Sequence, residues 1–197
     1  MSSTSSSTTS PSSSSPSAAP ETVSRWNLDP SHSTAHFGVR HMMISTVRGH
    51  FEKVSGTVTI DELDATKSQI DVAIDAASIA TRDPKRDGHL RSADFFDVEN
   101  HPTITFHSTK IAKAGKDQYT VTGDLTIRGT TKSVTLDVAG PTAPQTTPWG
   151  MVARGVSASG KVNRKDFGLN WNAAIEAGGF VVGDEVKIEF EAELLRA

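Results

Sequence analysis

Alternation of apolar and polar side chains carries most of the information in this chain. From Tyr119 onward, Val121, Gly123, Leu125 and Ile127 share one parity, and Thr120, Thr122, Asp124, Thr126 and Arg128 fall between them. After Gly129-Thr130-Thr131-Lys132 the alternation resumes with Val134, Leu136 and Val138. A period of two sends successive side chains to opposite faces of a pleated strand. Valine and threonine suit that surface because their branched side chains are stiff. Gly129 supplies backbone freedom for a reversal, so the stretch predicts a hairpin with one apolar face and one wet face. A lone hairpin cannot bury its apolar face and needs further strands.

The same period recurs along the chain. Trp26 and Leu28 make a short alternating start, stopped by Asp29-Pro30. Residues 33–41 read as a strand with Ala35, Phe37, Val39 and His41 on one side. Val47 to Asp61 reads as one long strand in which Phe51 is out of phase with Val54, Gly56, Val58 and Ile60, which predicts a bulge near Lys53. Ile70, Val72, Ile74 and Ala76 alternate, then Ile104 and Phe106 after Pro102, then Val152 to Val162. The last run sets Val186, Ile188, Phe190, Ala192 and Leu194 against glutamates and a lysine. A helix would scatter those glutamates around its axis, whereas a strand collects them on one side.

Three segments break the pattern. Asp83-Pro84 joins an N-cap residue to proline at the first helical position. Gly88 weakens that start and leaves Asp87 as a second one. Asp83–Asp97 is therefore expected to form one or two helical turns carrying Leu90, Phe95 and Phe96, either as a loose lid over a ligand or as a seal on the core. Ala139 to Trp149 holds three prolines and reads as a loop. Asn163 to Gly183 is irregular around Phe167, Leu169 and Trp171.

Eight or nine short strands with one helical interruption predict an all-β protein, a sandwich or an antiparallel barrel. Closure favours the barrel, since it removes exposed strand edges. The expected interior parity holds Phe37, Val39, Val58, Ile74, Ile104, Phe106, Leu125, Ile127, Leu136, Val156 and Phe190. Gly56, Gly123 and Gly160 on that parity either leave room or let the strands bend, so a hollow barrel and a filled one both stand.

Composition narrows the classes. Met1 to about Ser24 is almost entirely serine, threonine, proline and alanine, and is expected to be a disordered tail before a single domain over 25–197. No basic start and apolar run precede a cleavage site, so the expected location is the cytoplasm. There is no cysteine, which excludes disulfides and thiolate chemistry. A net charge of −3 provides no basic footprint for nucleic acid. No apolar run reaches membrane-spanning length. The seven histidines are scattered, without a His-x-x-x-His helix motif, and no metal or cofactor is expected. His41 stands apart on an apolar parity, as a hydrogen-bonded core histidine or as a polar handle for a ligand. Gly129–Ser133 lacks phosphate-loop spacing, and no nucleophile-elbow motif occurs.

Four elements together resemble the YceI family of polyisoprenoid-binding proteins over roughly 25–197. They are Ser31-His32-Ser33 leading through Phe37 to His41-Met42, Gly49 and Phe51; Arg86-Asp87-Gly88-His89-Leu90-Arg91-Ser92 with Asp94-Phe95-Phe96-Asp97 and Pro102; Gly123-x-Leu125-Thr126-Ile127-x-Gly129-x-Thr131-Lys132; and Arg164-Lys165-Asp166-Phe167-Gly168 with Val182-Gly183-Asp184. The resemblance implies a lipocalin-like barrel, a long isoprenoid ligand of polyprenyl or quinone type or another long-chain lipid such as a fatty-acid derivative, and no catalysis. The expected ligand contacts are the interior residues Phe37, Val39, Val58, Ile74, Ile104, Phe106, Leu125, Ile127 and Phe190, with His41, Met42, Phe51, Leu90, Phe95, Phe96 and Phe167. Arg40, His41, Arg82, Arg86 and Arg91 are the expected holders of an anionic headgroup. A second copy of the chain is admitted as a partner. Two other functions stay open: a metal-assisted hydrolase using interior histidines, and a filled barrel whose loops bind protein.

Overall fold

The computed structural model describes residues 22–174 and 179–197. Among these residues twelve strands and one α-helix follow in chain order. The first half holds β1 (Val23–Leu28), β2 (Thr34–His41), β3 (Ser45–Phe51), β4 (Val54–Asp61), β5 (Gln69–Asp75), β6 (Ile79–Ala80) and α1 (Pro84–Arg91). The second holds β7 (Thr103–Gly115), β8 (Gln118–Ile127), β9 (Thr130–Ala139), β10 (Gln145–Thr146), β11 (Val152–Asn163) and β12 (Val182–Arg196).

Eight strands close a ring, β1–β4–β5–β7–β8–β9–β11–β12 and back to β1, with every neighbour antiparallel. β12 pairs with β11 along one edge and divides its other edge. β2 takes the stretch from Val182 to Glu191, and β1 takes Leu194 to Arg196. β2, β3 and β6 thus extend the wall above β1 and β4. The β8–β9 turn and the β11–β12 connection mark one end of the barrel, called upper here. The β4–β5 and β7–β8 turns and residues 140–151 mark the lower end.

The expected hairpin forms as β8 and β9, with Arg128 and Gly129 at positive φ in the turn. That backbone suits the twist of a two-residue connection. All eleven residues of the expected interior parity border the barrel's cavity, while Asp124 faces outward. The inward glycines do not create that space. A side chain at Gly123 would meet the Phe106 ring, and one at Gly160 would meet Leu136.

The structure corrects the bulge and sharpens three other expectations. Phe51 is out of phase because the strand ends there, with no bulge near Lys53. At Glu52-Lys53 the chain changes neighbours, from β2 and β6 to β1 and β5. The strand after Pro102 runs on to Gly115, hidden in the sequence by register shifts between Ser108 and Lys110 and between Lys113 and Gly115. The first shift moves Ile111 and Lys113 onto the inward side. The helix starts at Pro84 and passes through Gly88, with Asp83 capping the amides of Lys85 and Arg86. Asp87 starts nothing; its buried carboxylate accepts from the Thr81 amide and hydroxyl. Finally, the expected tail lies outside the described residues up to position 21, but its last two residues, Val23 and Ser24, belong to β1. Ser24 is buried in β1, donates to Glu62 and accepts from Trp26 Nε1.

Candidate functional site

The barrel encloses a cavity of about 630 Å³, within the range of roughly 300–1,000 Å³ usual for small-molecule sites. Its wall is apolar because each strand turns its apolar parity inward. β2 to β5 contribute Phe37, Val39, Phe51, Val58 and Ile74. β7 and β8 contribute Ile104, Phe106, Leu125 and Ile127, and Phe190 comes from β12. Leu90, Phe95, Phe96 and Phe167 close in from the upper end.

The two ends of the cavity differ. At the upper end Phe167 is 1 % exposed, and Phe95 and Leu169 are buried beside it. Phe95 meets the Trp171 ring at 5.4 Å and the His89 ring at 5.1 Å, and Phe96 meets Phe51 edge-on at 5.7 Å. At the lower end Leu63 also borders the cavity, yet it is 81 % exposed. The mouth is therefore at the lower end, rimmed by the β4–β5 turn, Lys113, Asp117, Tyr119 and Pro141.

The helical segment is a seal. Arg86 donates to the Thr81 hydroxyl and carbonyl, and Arg91 donates to the carbonyls of Ala77 and Ile79. With the Asp87–Thr81 bonds these fasten α1 to the wall beside β6, unlike the loosely held lid that ligand entry would need. Phe95→Ala is accordingly expected to lower stability by about 3–5 kcal/mol, since it empties a ring-sized space in a packed cluster. A denaturant midpoint unchanged by the substitution would refute the seal.

None of the five expected headgroup residues borders the cavity. Arg86 and Arg91 are held by backbone carbonyls, as above. Arg40 donates to the Met43 carbonyl and the Thr46 hydroxyl in the β2–β3 hairpin. Arg82 is exposed, and His41 sits at the end of β2 opposite Ser45 and Val182. Met42 also lies outside, in the exposed turn with Met43 and Ile44. His41 is on the inward parity, but β2 runs past the rim there, and Met42 belongs to the turn beyond the strand. The other fourteen expected ligand contacts border it.

The histidines do not converge in the interior. His36 alone borders the cavity, and it is exposed, its ring 5.8 Å from that of His50. His107 pairs with Asp71, His89 with Asp94 and His32 with Asp29. Asp29, His32 and Glu193 cluster closely enough to share a cation, but Asp29 already hydrogen-bonds His32, and that bond, with the charges of Asp29 and Glu193, raises the His32 pKa.

Arg154 lies outside these expectations and is a charged residue that enters the wall from β11. It falls on the inward parity of β11, in step with Val156, Ala158 and Val162, and borders the cavity near the lower mouth. Its guanidinium lies 4.7 Å from the Trp26 ring centre, and Nη2 donates to Glu62 at 3.1 Å. The signal was legible: an arginine on the apolar parity of an otherwise regular strand.

Known proteins resemble the chain across this whole unit. Residues 26–194 match the YceI-like domain. A UPF0312 protein of Staphylococcus epidermidis is 36 % identical over 171 residues, spanning 87 % of this chain and 97 % of the relative. Among solved structures, BcnA of Burkholderia cenocepacia superposes with a TM-score of 0.72 at 27 % identity, over 84 % of this chain and 98 % of BcnA. A YceI protein of Campylobacter jejuni does so with a TM-score of 0.68 at 30 % identity, over 80 % and 90 %. A polyisoprenoid-binding domain from Saccharophagus degradans shares the fold, with a TM-score of 0.63 at 18 % identity over 87 % and 98 %. With nearly the whole barrel matched, the chain belongs to the YceI-like domain family.

Proposed function

We propose that the protein binds a long-chain isoprenoid lipid inside the barrel and carries or sequesters it, without catalysis. The supporting observation is the cavity itself: apolar along its length, sealed above by Phe95 and Phe167, and open below beside Leu63. Each methylene moved from water into such a lumen contributes about 0.8 kcal/mol. A chain of several isoprene units therefore outweighs its ordering cost with few polar contacts. The relative from Saccharophagus degradans is a polyisoprenoid-binding domain, which agrees with this choice of tail. A metal-assisted hydrolase built on interior histidines lacks its constellation, since His36 alone borders the cavity and it is an exposed residue. No helix among the described residues is long and apolar enough to cross a membrane.

The test is organic extraction of the purified protein, with mass identification of the extract and titration with a fluorescent prenyl probe. A co-extracted isoprenoid and saturable probe binding are expected. An empty extract together with no probe binding would sink the proposal.

A further inference from the structure

The cavity is apolar throughout most of its length, so the polar groups at one end decide which head a tail can carry. Three observations single out Arg154. Its side chain is 12 % exposed and borders the cavity, although charged groups are rarely so enclosed without full pairing. A guanidinium has five N–H donors, and one bond, Nη2 to Glu62, accounts for its side-chain partners. Nε is buried with no hydrogen-bond partner. Arg164, at the other end, donates to four carbonyls and a carboxylate. The contrast marks Arg154 as under-used where it stands.

Its orientation is set from both sides. The Trp26 ring supports the guanidinium, and the Trp26 indole donates to Ser24, which donates to Glu62. Burial works to raise the Glu62 carboxyl. The hydrogen bonds from Ser24 and Arg154, with the charges of Arg154 and Arg196, outweigh it and hold the carboxyl below its ordinary value. Glu62 is thus an anion beside the cation, and the pair is close to neutral as a unit. The surrounding mouth is no more welcoming to an anion. Asp61, Glu62, Asp64 and Asp117 border the cavity there against Lys113 and Arg154, with Lys67 paired to Asp64 outside it.

We infer that Arg154 is the head-group anchor of the cavity and that it selects a lipid whose head offers an uncharged oxygen acceptor, such as a ring or ester carbonyl, over one carrying phosphate. This rests on the lipid-binding reading above. The tail then points up toward Phe95 and Phe167, and the head stays at the lower mouth. A carbonyl accepts from the terminal N–H donors that Glu62 leaves free, Nε itself being buried, without disturbing the Glu62 pair. A phosphate must displace Glu62 or lie beside four carboxylates.

Three probes separate the possibilities: squalene, which has no head; a benzoquinone carrying a polyprenyl tail; and a polyprenyl diphosphate with a tail of the same length. In the unaltered protein the quinone is expected to bind more tightly than the diphosphate. Arg154→Met keeps bulk against Trp26 and is expected to weaken quinone binding by about 10- to 100-fold, with squalene unchanged. Glu62→Gln frees the cation and is expected to tighten diphosphate binding about tenfold while leaving the quinone within a factor of about two. An equal loss for squalene and quinone in Arg154→Met would make Arg154 a wall residue only and overturn the proposal. So would diphosphate preference in the unaltered protein. If squalene binds and neither variant changes head selectivity, the carrier reading stands and the anchor falls. If none of the probes binds, both fall.

Discussion

Arg164→Met should unfold the protein or bring it close to unfolding, a loss of at least about 5 kcal/mol. Arg164 is 5 % exposed, yet it reaches five acceptors. Nε donates to the Gly183 carbonyl, Nη1 to those of Leu169 and Trp171, and Nη2 to Val182 and to the Asp184 carboxylate. One side chain thereby ties the irregular segment after β11 to the start of β12. Removing it strands several carbonyls, each costing about 1–3 kcal/mol when buried. Net stabilities of about 5–15 kcal/mol leave little room for that. Burial lowers the Arg164 pKa and the Asp184 charge opposes the fall. Arg164→Lys should be intermediate, since an ammonium keeps the charge and loses the planar fork. A denaturant titration decides: a cooperative transition within about 1 kcal/mol of the unaltered protein would show that the network is ornamental. The same corner gives acid sensitivity. The Lys165 hydrogen bond, against slight burial and with the Lys165 and Arg164 charges, holds the Asp184 carboxyl low. A depressed carboxyl adds stability above its unfolded value, and that contribution is lost as pH falls through the folded value.

Ala158→Phe should abolish isoprenoid binding, by about 100-fold or more, without lowering the melting temperature. Ala158 borders the cavity from the middle of β11, between Phe190 on β12 and Val138 on β9. A ring placed there projects across the lumen, into the path of any tail running from the mouth to Phe167. In an occupied-to-capacity core the same change would cost about 1–3 kcal/mol through overpacking. The paired readout is therefore informative: probe affinity and thermal midpoint should move independently. Retained affinity would place the tail elsewhere, and a collapsed midpoint would show that the lumen has no room to give.

The barrel was legible because alternation is a local property, readable strand by strand. The interior parity needed no knowledge of which strands become neighbours. Three things were not local. Thr109 lies between the paired positions of a register shift, which needs β8 alongside to be seen. The change of partners after Phe51 needs β1 and β5. The fates of Arg86 and Arg91 need the carbonyls of residues 77–81, which turn toward α1 only in the folded chain. Positive charge near the helix suggests ligand binding because a sequence shows the donors and hides the backbone acceptors. Arg154 is obscured for the opposite reason: the apolar members of its strand dominate the pattern around the one charge that shares their parity.

The divided edge of β12 bears on how the protein is made. β12 follows all three strands it pairs with in chain order: β1, β2 and β11. Chains emerge from the ribosome at about 5–20 residues per second. Until β12 arrives, β1, β2 and β11 each present an unpaired edge, and the cylinder is an open, curled sheet with its greasy lining showing. Open edges of this kind recruit other strands. The hazard peaks late in synthesis and ends abruptly, because one strand closes three edges at once. Chaperone dependence during translation, and insolubility of any product stopped before position 182, follow from that order of events.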